Sequence, residues 1–164
     1  MAQPSQQQRV LQATVPALYL QYLPPSLRGR ARQYFGYVAN VLPLAAAGTG
    51  TATVAIQNDS DFLLVAVTGS ARDPAAPTTR FLAPAITLQI NDSGSGRNLW
   101  AQPVDWITVV GTAELPCYLP FPYLVEKSGE FTITQQSLSL AGGQAYNTRL
   151  TLHGFKIFTF SEDV

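Results

Sequence analysis

From about residue 50 onward, the apolar residues of this chain recur at every second position. The stretch "APAITLQIND" places Ile86, Leu88 and Ile90 on one face, and "TATVAIQ" repeats the pattern. A period of two is that of a β-strand with one buried face. The stretch "DFLLVAVTG" is instead apolar on both faces, as in a strand buried between two layers. The chain therefore has to form a β-structure with an extensive core.

Further strand-like runs follow, rich in β-branched and aromatic residues: "VDWITVVG", "CYLPFPYLV", "EFTITQQSL" and "AYNTRLTLHGFKIFTF". Asn, Asp, Gly, Ser and Pro cluster between them, as turn residues do. No intervening segment has the length and period of a crossover helix. Seven or eight such strands predict an all-β fold, an antiparallel β-sandwich or jelly roll, over residues 46–164.

Residues 1–45 follow a different pattern. They begin with the polar run "MAQPSQQQ", are broken by the proline pair of "YLPPSLRGRAR", and contain no helical stripe longer than about two turns. We predict an extended N-terminal arm, with a short helix or strand near residues 28–41.

Charged residues make up 12% of the chain, against roughly 25% in typical soluble domains. A freely diffusing protein with so few charges is poorly protected from self-association. A subunit whose surface is covered by neighbours needs fewer of them. The composition therefore favours a component of an assembly.

The charges are unevenly placed, because Arg9, Arg28, Arg30 and Arg32 all precede the first acidic residue, Asp59. Without basic residues interleaved with aromatic ones, this is a weak signal for nucleic acid. The four arginines are our candidate partner contacts, at which an arm would dock on an acidic protein surface. The alternative is that they are ordinary solvated arginines.

The single cysteine, Cys117, excludes an intrachain disulfide and fits a reducing compartment. It lies among apolar residues, which predicts a buried, unreactive thiol. The N-terminal residues lack the pattern of a signal peptide, and the best apolar run, "VLQATVPALYLQYL", is too short to span a membrane.

The run "NDSGSGRNLW" has the composition of a phosphate-binding loop. Such a loop leads into a helix whose N-terminal amides bind the anion. Here "NLWAQPVDW" follows, with a proline and no helical period. We therefore interpret the run as a turn between strands.

Other chemistry is sparsely supported. The only histidine, His153, cannot form a histidine-rich metal site, and we expect it to face a neighbour or solvent. Asp59 and Asp61 could contribute to a calcium loop, but a polar turn that opens a strand is the commoner case. We predict no cofactor, no metal and no catalytic residue.

A carbohydrate-binding module is an alternative, because sandwiches can present aromatic platforms. The candidate aromatic residues are Trp100, Trp106, Tyr118, Phe121 and Tyr123. Trp106, however, lies within an apolar run that we predict to be a strand. Packing in the core or against another subunit is the interpretation we prefer for most of them.

The order of segments over roughly residues 50–160 resembles small jelly-roll structural proteins that decorate or cement the heads of tailed bacteriophages. The segments that carry the resemblance are "DSDFLLVAVTG", "ITLQINDSGSGRNLW", "PVDWITVVGTAELPCYLPFPYLV" and "YNTRLTLHGFKIF". The patterns I-x-D-S-G-S-G-R and R-L-x-L-x-G-x-K-x-F are its most specific parts. The N-terminal arm has no counterpart in it.

This resemblance implies a non-enzymatic virion protein on the capsid surface, assembled in the bacterial cytoplasm. Its implied partners are the major capsid protein and copies of itself as a dimer or trimer, without direct nucleic-acid or membrane contact. The alternatives are a collar, head-completion or tail protein, or a carbohydrate-binding module for host adsorption.

Overall fold

The computed structural model describes residues 19–158, which form two five-stranded antiparallel sheets packed as a sandwich. The strands are β1 (Arg32–Leu44), β2 (Thr49–Ala55), β3 (Ser60–Arg72), β4 (Arg80–Phe81), β5 (Ile86–Asp92), β6 (Arg97–Asn98), β7 (Val104–Asp105), β8 (Cys117–Val125), β9 (Glu130–Ser137) and β10 (Tyr146–Phe158). A short 3-10 turn covers Pro25–Leu27, and a one-turn helix, α1, covers Trp106–Val109. The predicted all-β fold is confirmed.

The strands pair in a nested order. β1 pairs with β10, β2 with β9, β3 with β8, and β5 with both β6 and β7. Sheet A runs β1-β10-β3, with β4 and β8 along the far edge of β3, and sheet B runs β2-β9-β5, with β6 and β7 along the far edge of β5. Strands from the two halves of the chain therefore alternate in each sheet. This is the topology of a jelly roll, which forms when one long antiparallel hairpin is folded over into two sheets.

The core lies between the sheets, where the predicted alternation places it. Ile86, Leu88 and Ile90 are buried in β5, and the residues between them are half-buried. Val54 in β2 and Ile56, just after the end of that strand, are buried in the same core. Burial of these alternate apolar side chains is the main favourable contribution to folding.

β3 is buried on both faces and contains a β-bulge. Its pairing with β10 skips Val65, which lies between Leu64 and Ala66. Leu64 and, beyond the bulge, Val67 both face the core between the sheets, whereas Val65 and Ala66 both face the outside of sheet A. An extra residue in one strand shifts the alternation of its side chains in this way. The prediction that "DFLLVAVTG" is covered on two sides is thus confirmed.

The outside of sheet A is covered by residues 19–27. Tyr19 and Leu23 are buried there, and the Tyr19 hydroxyl donates a hydrogen bond to the carbonyl oxygen of Leu119 in β8, at 3.1 Å. The buried residues of this second cluster, which we call the outer cluster, are Tyr19, Leu23, Leu63, Val65, Ala66, Phe155 and Ile157. Residues 19–27, called the cover segment below, therefore form a third layer over one half of the sheet.

Part of the predicted arm belongs to the sandwich. Residues 32–44 form β1, a 13-residue strand that pairs with β10. Within it Tyr37, Ala39 and Val41 are buried, so a period of two is present here as well. The sequence predicted only a short helix or strand near residues 28–41, because Gly36 and Pro43 interrupt the apolar pattern. The sandwich thus begins at Arg32 instead of residue 46, and residues 1–18 of the arm lie outside the described part of the chain.

The predicted strand "VDWITVVG" is corrected by the structure. Of this run, only Val104–Asp105 (β7) is a strand, which pairs with β5. The chain then turns through α1, where Trp106 is buried at 4% exposure. Gly111 exchanges backbone hydrogen bonds with β3, donating to Val67 and accepting from Gly69. The chain crosses from sheet B to sheet A at this point, and a continuous strand could not make that crossing.

Candidate contact surfaces

Two of the predicted contact arginines bind their own segment. Arg28 donates from Nε to the carbonyl oxygen of Leu23 at 2.9 Å, and from Nη2 to that of Gln21 at 3.1 Å. Arg30 donates more weakly, from Nε to the carbonyl oxygen of Ser26 at 3.4 Å. Arg28 therefore stabilises the turn that holds the cover segment against sheet A. Its remaining surface is exposed.

The other two predicted arginines are less constrained. Arg32 is exposed at the start of β1, opposite Ile157 of β10. Arg9 lies outside the described residues. Whether any of the four contacts a partner stays a prediction.

An exposed aromatic pair joins the cover segment to β8. The rings of Tyr22 and Phe121 pack edge to face with their centroids 5.9 Å apart, although Phe121 is 70% exposed. Tyr118, in the same strand as Phe121, is also exposed. We call these three side chains the aromatic patch. Exposed apolar groups that cluster in this way mark interaction surfaces.

A second exposed apolar surface lies at the end of the sandwich where β10 begins. Its members share high exposure and positions in or beside loops: Leu42, Leu82, Leu138 and Leu140. The loops surround Tyr146, whose hydroxyl accepts a hydrogen bond from the Ala85 amide and whose ring packs on Phe81. We call these four residues the leucine end. The sequence signal was available for three of them, because Leu82, Leu138 and Leu140 stand outside the strand alternation, in "FLAP" and "SLSLAGG".

Three of the five aromatic residues suggested for a carbohydrate platform do not form one. Trp106 is buried, and Trp100 and Tyr123 are half-buried against the core. Gln89 further holds the Trp100 segment by donating to its carbonyl oxygen at 2.8 Å. Tyr118 and Phe121 are the candidates that remain exposed.

The "NDSGSGR" run is the turn between β5 and β6, as predicted. The buried Asp92 organises it: Oδ1 accepts from the amides of Gly94 and Ser95, at 3.0 and 3.3 Å. Oδ2 accepts from the Ser95 hydroxyl at 2.6 Å and from the Tyr123 hydroxyl of β8 at 3.0 Å. Burial opposes ionisation of Asp92, but the hydrogen bonds from Ser95, Tyr123 and Gly94 outweigh it and lower the pKa of this carboxyl. A cleft of about 550 Å³ lies beside the turn, lined on its other side by residues 124–129.

His153 links three strands across the outside of sheet A. Its Nδ1 lies 2.5 Å from the Tyr34 hydroxyl of β1, and its Nε2 lies 2.7 Å from Thr68 Oγ1 of β3. Burial lowers the pKa of His153, which favours the neutral imidazole with one donor and one acceptor nitrogen. The expectation that this histidine faces a neighbour is confirmed. What it does here is to join β1, β10 and β3.

Cys117 is half-buried rather than buried, because it lies at the start of β8 beside the loop that leaves α1. Burial raises the pKa of its thiol, and Sγ lies 3.8 Å from the carbonyl oxygen of Thr108. A raised pKa keeps the group protonated and poorly nucleophilic.

Asp59 forms an ion pair with the buried side chain of Lys156. Lys156 is 4% exposed, and its Nζ lies 3.3 Å from Asp59 Oδ1 and 4.7 Å from the ring centre of Phe35. The hydrogen bond from Ser60, aided by Lys156, lowers the pKa of Asp59. Asp61 instead accepts from the backbone amide of Lys127. Within residues 19–158, no group of three or more His, Cys, Asp or Glu side chains is placed to hold a metal ion.

The same part of the chain contains no helix long and apolar enough to cross a lipid bilayer. No protein-family model matches this chain, and no curated protein matches it.

Among solved structures, the chain is similar to the infectious bursal disease virus VP2 subviral particle. The two are 11% identical with a TM-score of 0.38, over 77% of this chain and 33% of the VP2 chain. The chain thus spans about a third of the length of VP2. The jelly-roll assignment rests on the strand pairing of the chain itself.

Proposed function

We propose that this chain is a non-enzymatic structural protein of a virus particle, a cement or decoration protein that binds the outer capsid lattice of a tailed bacteriophage. The observation that carries the proposal is the pair of exposed apolar surfaces, the aromatic patch and the leucine end, on a rigid sandwich with few charges. Such surfaces are costly on a free protein and are covered in an assembly. The resemblance of residues 50–160 to phage head proteins supports the same role.

The partners in this proposal are the major capsid protein and further copies of this chain, as a dimer or trimer on the capsid surface. The protein would act by adding interface area that resists outward pressure on the lattice. A jelly roll suits this task, because its nested pairing leaves few free strand edges and its core resists deformation.

Residues 1–18 are proposed to reach neighbouring subunits, with Arg9 as a contact. The test is a truncation that stops before Tyr19, because the cover segment and β1 belong to the folded body. Deleting residues 2–18 should abolish incorporation into particles, and urea denaturation of the truncated protein would show whether its free energy of unfolding matches that of wild type. Incorporation would be measured by quantitative mass spectrometry of purified particles. Wild-type occupancy of the truncated protein would refute the arm as the clamp.

A collar, head-completion or tail location is the alternative within the virion. Copy number separates the two, because a lattice protein is present at every equivalent site, whereas a neck component forms a single ring. An electron-microscopy map of the particle would show which position this protein occupies. Absence of the protein from purified particles would refute both.

A carbohydrate-binding role now depends on Tyr118 and Phe121, the exposed members of the suggested platform. If it is correct, Phe121→Ala should abolish binding on a glycan array, while Trp100→Ala should weaken it only through loss of stability. The absence of any glycan bound by the wild-type protein would exclude this role.

A further inference from the structure

Three arginines from three strands line one shallow pocket on the outside of sheet A. The pocket has a volume of about 200 Å³ and lies on the half of the sheet that the cover segment leaves open. Its polar lining consists of Thr68, Ser70, Arg72, Arg80, Arg149 and Thr151. Three guanidinium groups and the hydroxyl groups of Ser70 and Thr151 therefore face the same space as donors, whereas the Thr68 hydroxyl is already bonded to His153 Nε2.

The strand register places like charges side by side. Arg72 of β3 is the direct partner of Arg80 of β4. Arg149 of β10 is opposite Ser70, so it is the diagonal neighbour of Arg72 across the other edge of β3. Like charges directly opposite each other in a sheet are destabilising, and diagonal neighbours are within reach of long side chains. An anion placed between the three would remove this repulsion.

The described part of the chain does not supply that anion. Across residues 19–158, the side chains of Arg80 and Arg149 make no hydrogen bond or ion pair, and Arg72 donates once, to the carbonyl oxygen of Pro77 at 3.2 Å. The nearest acidic residues in sequence are Asp73, which accepts from the Ala75 amide, and Glu114, which follows the pocket residue Ala113. Neither forms an ion pair with the arginines.

We infer that this pocket binds carboxylate side chains presented by a protein partner. The fork geometry of a guanidinium matches a carboxylate with two parallel hydrogen bonds, and such charge-assisted bonds are stronger than neutral ones. Three guanidinium groups with neighbouring hydroxyls can receive two carboxylates at once. That the partner is a neighbouring virion subunit rests on the proposed function, whereas the affinity of the pocket for carboxylates does not.

Carboxylates fit better than nucleic-acid phosphates because the basic charge is local. Proteins that bind nucleic acid present a basic stripe that follows many phosphates. This chain has no net charge, with ten basic and ten acidic residues. A compact cluster of three arginines suits a compact acidic contact.

The test uses the purified full chain and a fluorescently labelled hexaglutamate peptide, with binding followed by fluorescence anisotropy at low ionic strength. Arg80→Gln and Arg149→Gln should each weaken binding at least tenfold. The matched control is Arg97→Gln, an exposed strand arginine at the other end of the sandwich, which should change affinity less than twofold. Added salt should weaken wild-type binding.

Three results would overturn the inference: no binding of the peptide by the wild-type chain, an equal loss in all three variants, or tighter binding of a single-stranded oligonucleotide of equal charge. Each of them leaves particle incorporation to be judged separately. If the peptide binds as expected but the protein is absent from particles, the pocket stands and the proposed function fails.

Discussion

Asp92 shows at the residue scale how a sequence that resembles a ligand loop becomes a structural turn. Both of its carboxylate oxygens are occupied by donors of the turn itself and of Tyr123 in β8. The residue therefore joins sheet B, through β5, to sheet A, through β8. A phosphate-binding loop would keep its donors free for the ligand. In this turn the donors of Gly94 and Ser95 bind Asp92 instead.

Replacing Asp92 by Asn should lower the free energy of unfolding by about 1–3 kcal/mol at neutral pH, because buried donors lose their charged acceptor. The folded-state pKa of Asp92 is lowered, so its contribution is present above the unfolded-state pKa and is lost as the pH falls through the folded-state value. The difference between wild type and variant should therefore shrink in acid. Urea denaturation across a pH series measures both effects.

The control for this substitution is Asp105→Asn, since Asp105 is exposed and its side chain makes no capping hydrogen bond. If both substitutions had the same effect at every pH, the hydrogen bonds to Asp92 would not be what stabilises the turn.

At the scale of elements, the cover segment and the bulge of β3 depend on each other. The bulge turns Val65 and Ala66 outward together, which creates an apolar area on a face that would otherwise alternate. Leu23 and Tyr19 bury that area. Gly154 of β10 lies beside the bulge, where a Cβ atom would collide with the Leu63 carbonyl oxygen. The close approach of the two strands thus requires glycine at this position.

We expect Leu23→Ala to lower the free energy of unfolding by about 2–4 kcal/mol, because it opens a cavity between the cover segment and sheet A. Leu115→Ala is the matched control, since this leucine is 76% exposed, and it should change stability by no more than about 0.5 kcal/mol. Chemical denaturation measures both. A loss for Leu23→Ala no larger than that for Leu115→Ala would mean that the packing of Leu23 against sheet A does not stabilise the fold.

At the scale of the whole molecule, the exposed apolar surfaces allow the role of a residue in assembly to be tested apart from its role in stability. The leucine end lies outside the core, so the double substitution Leu82→Ser and Leu140→Ser should leave the free energy of unfolding unchanged within about 0.5 kcal/mol. It should reduce incorporation into particles if this end is an interface. Leu115→Ser controls for the loss of an exposed leucine elsewhere. Wild-type incorporation of the double variant would exclude the leucine end as a contact.

Much of the fold follows from local patterns. The alternation in residues 86–92 and 51–57 determines two strands and their buried faces, and the Asn, Asp, Gly and Ser residues after Ile90 determine a turn. These features depend on neighbours within a few residues. Local patterns left helix and strand as alternatives where a glycine and a proline interrupt β1. They failed where the apolar run around Trp106 became a helical turn between the sheets.

The sequence alone therefore determined an all-β chain, the position of most strands and the low fraction of charged residues. Tertiary structure decided the nested pairing, the cover over sheet A, and the meeting of Arg72, Arg80 and Arg149 in one pocket. The physical reason is sequence separation. Arg149 lies far along the chain from the other two, and only the pairing of β10 with β3 brings them together, through long-range hydrogen bonds that no local period encodes.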